Sequence, residues 1–207
     1  MSARATTARA MKDLLAALAA EAARSVQRPA EPAVIMREFC RAMSVRTGRP
    51  VQLVFRVFPP DLPVSGMRLD LGDRSIIVVE AGTVPEAQLV ILGHELWHEE
   101  QGDCGHHVAG LPAAARALPA DQTPDALRRA VRQVLDADEV SLDVILTVAA
   151  RAESGDAHEV EAETFGLLFG REVRTWVTGR YAQGPVTPTT LEGRINLSLL
   201  HRGGRIL

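Results

Sequence analysis

The sequence predicts an α+β fold in which a small twisted sheet packs against one buried helix, and three stretches carry that expectation. Residues 51–58 alternate, with Val51, Leu53, Phe55 and Val57 on one face of a strand. Ser75 to Glu80 holds the run Ile76-Ile77-Val78-Val79, the unbroken apolar pattern of a strand covered on both faces. Leu89 to Leu92 has no polar side and continues into His94-Glu95-Leu96-Trp97-His98, so the helix it forms must be buried rather than amphipathic.

Taken in order, residues 1–10 are expected to be disordered. Met11 to about Gln27 reads as an Ala-rich helix, with Leu14, Leu18 and Ala22 at helical spacing beside Met11 and Leu15, ending before Pro29. Pro32 to about Val45 forms a second helix, stopped by Gly48 and Pro50. Residues 1–48 are thus read as an N-terminal helical segment and 49–207 as the main domain. Pro59, Pro60 and Pro63 break the first strand, Met67, Leu69 and Leu71 resume the alternation, and Gly72-Asp73 supplies a turn.

The buried helix has its own start signal. Thr83 and Glu86 stand at capping-box spacing, with Pro85 in the first turn, where a missing N–H costs nothing. Gly93 weakens a helix interior by roughly 1 kcal/mol relative to Ala, which points to another backbone packed closely there. Glu99 and Glu100 oppose the macrodipole near the helix C-terminus without a local compensation, so they are expected to shape a cleft or sit in water.

Beyond Gln101-Gly102 a polar loop, Asp103-Cys104-Gly105-His106-His107, leads into an Ala- and Pro-rich linker. Thr123-Pro124-Asp125 opens a helix with Leu127, Val131 and Val134 inward and Arg128, Arg129 and Arg132 on a solvated face. Another helix runs from Asp138 to about Glu153, so residues of about 120–153 look like a helical insertion. Asp156 to Arg171 forms the last strongly patterned helix.

Composition narrows the classes. The chain has 207 residues and a net charge of -3, so no global basic field draws it to nucleic acid or an anionic membrane. No apolar run approaches the ~20 residues of a membrane span. Two cysteines, Cys40 and Cys104, cannot build a disulfide framework, which points to a reducing, cytoplasmic compartment. Arg4, Arg9 and Lys12 precede an apolar run, but Asp13 and Glu21 fence it, so a retained helix explains it better than a signal peptide.

The chemistry lies in His94, Glu95 and His98. On a helix, positions i and i+4 share a face one turn apart, so two imidazoles can bind one tetrahedral ion, and Glu95 can take a proton from water on that ion. With 6 His and 15 Glu, chance would supply this pattern about one time in a hundred. The competing reading is a coincidental helix with solvated side chains, against which the capped, apolar context argues.

Catalytic zinc usually takes a third protein ligand. Glu159, Glu163, Gly166 and Gly170 share one helical face, two acids followed by two glycines, which could lie close against another helix and present carboxylates to a cation. Glu159 is the chosen third ligand, with Glu163 one turn on as acceptor of a ligating histidine's free ring N–H. Glu161, about 160° away, should face solvent. Alternatives stay open: Glu159 as a capping residue paired with Asp156, His158 as the ligand, or Cys104, His106 or His107 completing the site.

His94-Glu95-Leu96-Trp97-His98, followed by Glu159-x-x-Ala162-Glu163-x-Phe165-Gly166, resembles the ImmA/IrrE family of zincin metallopeptidases, whose second motif is approximately Glu-x-x-Ala-Asn/Asp-x-Phe-Ala. The resemblance covers roughly residues 50–178. It implies a zincin-like α+β fold with the active-site helix lying across a small twisted sheet, zinc (or manganese) held by His94, His98 and Glu159, and Glu95 as general base. It also implies action on a helix-turn-helix regulator or antitoxin encoded nearby. Trp97, Glu163 and Gly166 depart from the family pattern, as do the 60 residues 99–158 between the motifs, more than a compact zincin needs. Trp97 is expected to alter the cleft wall.

Peptide-bond hydrolysis by metal-activated water is therefore the leading expectation. Tyr181, His106 and His107 are candidates for an additional oxyanion donor. The alternative from another class is a non-catalytic, metal-stabilised protein that sequesters a transcriptional regulator. Direct DNA binding by residues 123–153 is disfavoured by the charge and by the lack of a recognition-helix motif.

Overall fold

A computed structural model describes residues 3–58, 65–102 and 156–179. The predicted loop and helices between Asp103 and Glu153, and Tyr181, lie outside the described residues.

The order of elements is α1 (Ala3–Ala22), α2 (Pro32–Thr47), β1 (Val51–Arg56), β2 (Gly66–Asp70), β3 (Ser75–Glu80), α3 (Pro85–Gln101), α4 (Asp156–Val173) and a 3₁₀ turn (Arg174–Trp176). The fold is α+β with a three-stranded mixed sheet. β3, whose first five residues are buried, takes the central place its apolar run requires. β1 pairs with it in parallel from Val51↔Ser75 to Arg56↔Glu80, and β2 antiparallel from Gly66↔Val79 to Asp70↔Ser75. The β2–β3 turn is closed by the Leu71 N–H donating to the Arg74 carbonyl at 2.9 Å, with Gly72 at φ 86°.

One buried cluster joins the described helices to the sheet. Leu14, Leu18 and Ala22 of α1 and Ile35, Met36, Phe39 and Met43 of α2 belong to the same buried cluster as Ile77 and Val79 of β3, Leu89, Leu92 and Leu96 of α3, and Phe165 and Phe169 of α4. The helical spacing of the apolar residues in α1 and α2 therefore reads directly onto packing. No helix among the described residues is long and apolar enough to cross a membrane.

Several expectations are corrected. α1 begins at Ala3, not Met11. Alanine-rich sequence favours helix there, and Thr7 anchors it by donating from its hydroxyl to Glu161 Oε1 at 3.3 Å, which also makes Glu161 a half-buried partner and not a solvent-facing acid. β1 stops at Arg56, where its partner β3 also runs out, so Val57 is 72% exposed. The Thr83 capping box does not form. Val84 is the N-cap, extended at φ -69° and ψ 150°, with Pro85 at the first helical position, so Thr83 stands one residue too early. Trp97 is 1% exposed and packs on Phe165, ring centroids 5.2 Å apart, in the core and not on a cleft wall.

Candidate metal centre

The centre exists because α3 and α4 approach more closely than side chains allow. A Cβ at Gly93 would meet Phe169 Cβ at 2.6 Å and Gly166 Cα at 3.0 Å. A Cβ at Gly166 would lie 2.6 Å from the Val90 carbonyl oxygen and 3.2 Å from the His94 nitrogen. Gly170 is packed as tightly, with Val90 Cγ2 2.7 Å from where its Cβ would be. The glycine in the apolar run of α3 and the two glycines after the acids of α4 are thus two halves of one contact.

With the helices this close, the side chain of Glu159 reaches the paired histidines. His94 Nε2 and His98 Nε2 are 3.2 Å apart, His94 Nε2 and Glu159 Oε1 3.1 Å, and His98 Nε2 and Glu159 Oε2 3.7 Å. Donors bound to a tetrahedral ion at about 2.0–2.1 Å are separated by about 3.3 Å; the two imidazole nitrogens match that spacing, and Glu159 faces each ring with a different oxygen. His94, His98 and Glu159 could therefore hold a metal ion. His158 is exposed and is not among the converging donors.

Burial is graded across the three. The His98 side chain is 3% exposed, whereas His94 and Glu159 are 15% and 16% exposed, so the cluster opens on one side. That side is a cleft of about 340 Å³ lined by Ser65, Gly66, Val90, Ile91 and Leu167 together with His94, Glu95, Glu159 and Glu163. Burial alone would lower the His94 pKa, but the hydrogen bond to Glu159 and the charges of Glu95, Glu159 and Glu163 outweigh it and hold the imidazole above its ordinary value.

Glu95 is the unusual group. It is 1% exposed, and its Oε2 has no hydrogen-bond partner among the described residues. Burial pushes its carboxyl up to about 7, against the opposing pull of His94 and Arg68. The backbone of β2 closes over it: a Cβ at Gly66 would sit 2.9 Å from Glu95 Oε1 and would overlap the Ile91 Cγ2 methyl. An unsatisfied buried carboxylate is expensive, and such groups concentrate at sites of function.

One turn on, Glu99 is also buried but fully engaged: it and Glu100 do line a depression, with Arg46, Arg49 and Asp70, but not the cleft at the histidines, and both are held by arginines instead of sitting in water. Arg49 Nε and Nη2 donate to Glu99 Oε1 at 3.1 and 2.8 Å, while Arg68 Nη1 and the Ser75 hydroxyl donate to Oε2 at 3.0 and 2.8 Å. Glu100 takes a two-pronged pair from Arg46. These partners come from 24 to 54 residues away in sequence, so the helix pattern alone could not reveal them.

Of the residues singled out in the sequence, the structure brings His94, His98 and Glu159 into contact and sets Glu95 beside them in the cleft. Glu163 lines the same cleft, but it is exposed, and no hydrogen bond joins it to either imidazole among the described residues. Gly66 and Arg68 were not singled out. A glycine opening a strand is a signal of close backbone approach and would have found Gly66. Cys104, His106 and His107 lie outside the described residues, as does the Asp156 side chain. Compared with known proteins, this chain matches no family model, no curated protein and no solved structure.

Proposed function

We propose that this chain is a zinc-dependent metallo-endopeptidase in which His94, His98 and Glu159 hold the ion and Glu95 is the general base. One observation carries the reading: donor atoms of three residues lie within 4.8 Å of one another beside a buried carboxylate oxygen that has no hydrogen-bond partner among the described residues. Two imidazoles and one carboxylate suit zinc with an open fourth position, whereas manganese favours more oxygen donors. When bound, such an ion polarises a carbonyl and lowers the pKa of a water toward ~7.

The chain's own residues supply the rest. Glu95 accepts the proton of the attacking water and returns it to the leaving amine, the paired transfers of a general base that then acts as acid. Ser65, Gly66 and Ile91 wall the cleft beside it and exclude solvent from the carboxylate. The two motifs' resemblance to ImmA/IrrE zincin peptidases supports a protein substrate, and a helix-turn-helix regulator or antitoxin is the partner we put forward, acted on in the cytoplasm.

The test is to mix the purified chain with the product of the neighbouring gene and follow fragments with and without chelator. Metal-dependent fragments are expected. Glu95→Gln should lower cleavage by at least about 100-fold with metal still bound, and Glu159→Ala should lose the metal. Wild-type turnover by Glu95→Gln would refute the mechanism. An intact regulator held in a stable complex would favour sequestration without cleavage.

A further inference from the structure

Glu163 is the acid in the cleft that acts on His94 only through space. Among the described residues it has no ion pair and no hydrogen bond, although Glu21, Glu38, Asp70, Glu99 and Glu100 all engage an arginine. No lysine or arginine among the described residues lines the cleft beside it. A divalent ion at the centre would be balanced by Glu159 and Glu95, which leaves the charge of Glu163 over. Glu95, 1% exposed and with one unpartnered oxygen, opens on the same cleft, so the cleft is a built site and not a chance dent between surface groups.

Besides the polar groups of the metal centre, the neighbours of Glu163 are aliphatic, and the two on its own helix are exposed. Leu167, one turn on, is 65% exposed, and Val160, one turn back, is 59% exposed. Val90 and Ile91 of α3 form the facing wall. An acid set between exposed aliphatic groups matches a side chain with a methylene stem and a cationic head, the stem lying along Leu167 and Val90 and the head at Glu163. A purely apolar side chain would leave the carboxylate facing hydrocarbon, and an acidic one would be repelled by it.

We infer that Glu163 makes the cleft selective for peptides that place a lysine or arginine side chain beside the metal centre. This rests on the cleft being a peptide-binding site, and it adds the class of sequence that site selects.

Binding is measured with the zinc-loaded, full-length Glu95→Gln protein, which separates recognition from cleavage. The probes are fluorescent, end-blocked alanine hexapeptides carrying one central lysine, norleucine or glutamate, so that norleucine keeps the stem and drops the charge. Lysine should bind about fivefold tighter than norleucine, with glutamate weakest, and the gap should close at ~0.5 M salt. Glu163→Gln should bring lysine and norleucine within about twofold, and Glu163→Lys should invert the order of lysine and glutamate. Equal affinity for the three peptides, or no binding of any of them by protein that retains its zinc, overturns the inference. The two readings fail separately. A lysine preference with no fragments from the wild type removes the peptidase and leaves the selectivity. Fragments from the wild type without a lysine preference do the reverse.

Discussion

Glu95 and Glu99 stand one turn apart on α3, are 1% and 2% exposed, and differ in almost everything else. Glu99 receives four donors, two on each oxygen, from Arg49, Arg68 and Ser75. Glu95 has an oxygen with none among the described residues. The same residue type at the same depth on the same helix is thus a fully paired strut in one place and, under the proposed function, the general base in the other. The difference is made entirely by what faces it: Arg68 and Ser75 of the strands and Arg49 before β1 for Glu99, the bare backbone at Gly66 and the open cleft for Glu95. Burial of a charge becomes a sign of function only once its partners have been counted.

The contrast can be broken hardest at Glu99. Glu99→Ala leaves the Arg68 guanidinium buried beside a more exposed Asp70 at 3.5 Å, and should lower stability by about 3–5 kcal/mol. Thermal melts read this directly. Zinc titration of the folded protein should change by less than about tenfold, because none of the three donors is touched. A wild-type melting temperature would mean that the four donors to Glu99 are incidental.

Gly166→Ala attacks the other side. Its methyl would lie 2.6 Å from the Val90 carbonyl and 3.2 Å from the His94 nitrogen, so α4 must back away from α3 and carry Glu159 with it. Overpacking of this kind lowers stability by about 1–3 kcal/mol. Metal affinity should fall as well, which distinguishes this variant from Glu99→Ala. Unchanged zinc binding would show that Glu159 reaches the histidines without the glycine contact.

How much of this was legible in the sequence follows the range of the interaction. The pairing of His94 with His98, the glutamate between them and the acid–glycine face of α4 are periodic within one helix, and periodicity is local information. The buried run of β3 announced a central strand for the same reason. The partners of Glu99 are Arg49, Arg68 and Ser75, brought in by sheet pairing, and no pattern inside α3 implies them. The capping box at Thr83 was misread because its spacing was right and its register was one residue off, a difference set by where Pro85 starts the helix. The angle of Glu161 on α4 alone points it to solvent, and only the reach of α1 back to Ala3 brings Thr7 to it.

The smallest effect is the most discriminating, since it has the opposite sign to Glu99→Ala. A carboxyl held up to about 7 in the folded chain and near its ordinary value of ~4.3 when unfolded binds more protons folded than unfolded between those limits. Stability contributed by this group therefore falls as pH rises through that window, and the full penalty is present above it. Glu95→Gln removes the ionisation while keeping the shape, so in chelator-stripped protein it should melt like the wild type at pH ~5 and be more stable by about 1 kcal/mol at pH ~8. The gain is limited because the amide still places a polar atom where Oε2 finds no partner. Melts of both proteins across that range check it. A Glu95→Gln variant that loses stability at pH ~8, as Glu99→Ala should, would make Glu95 a second strut and remove the physical ground for calling it the reactive member of the pair.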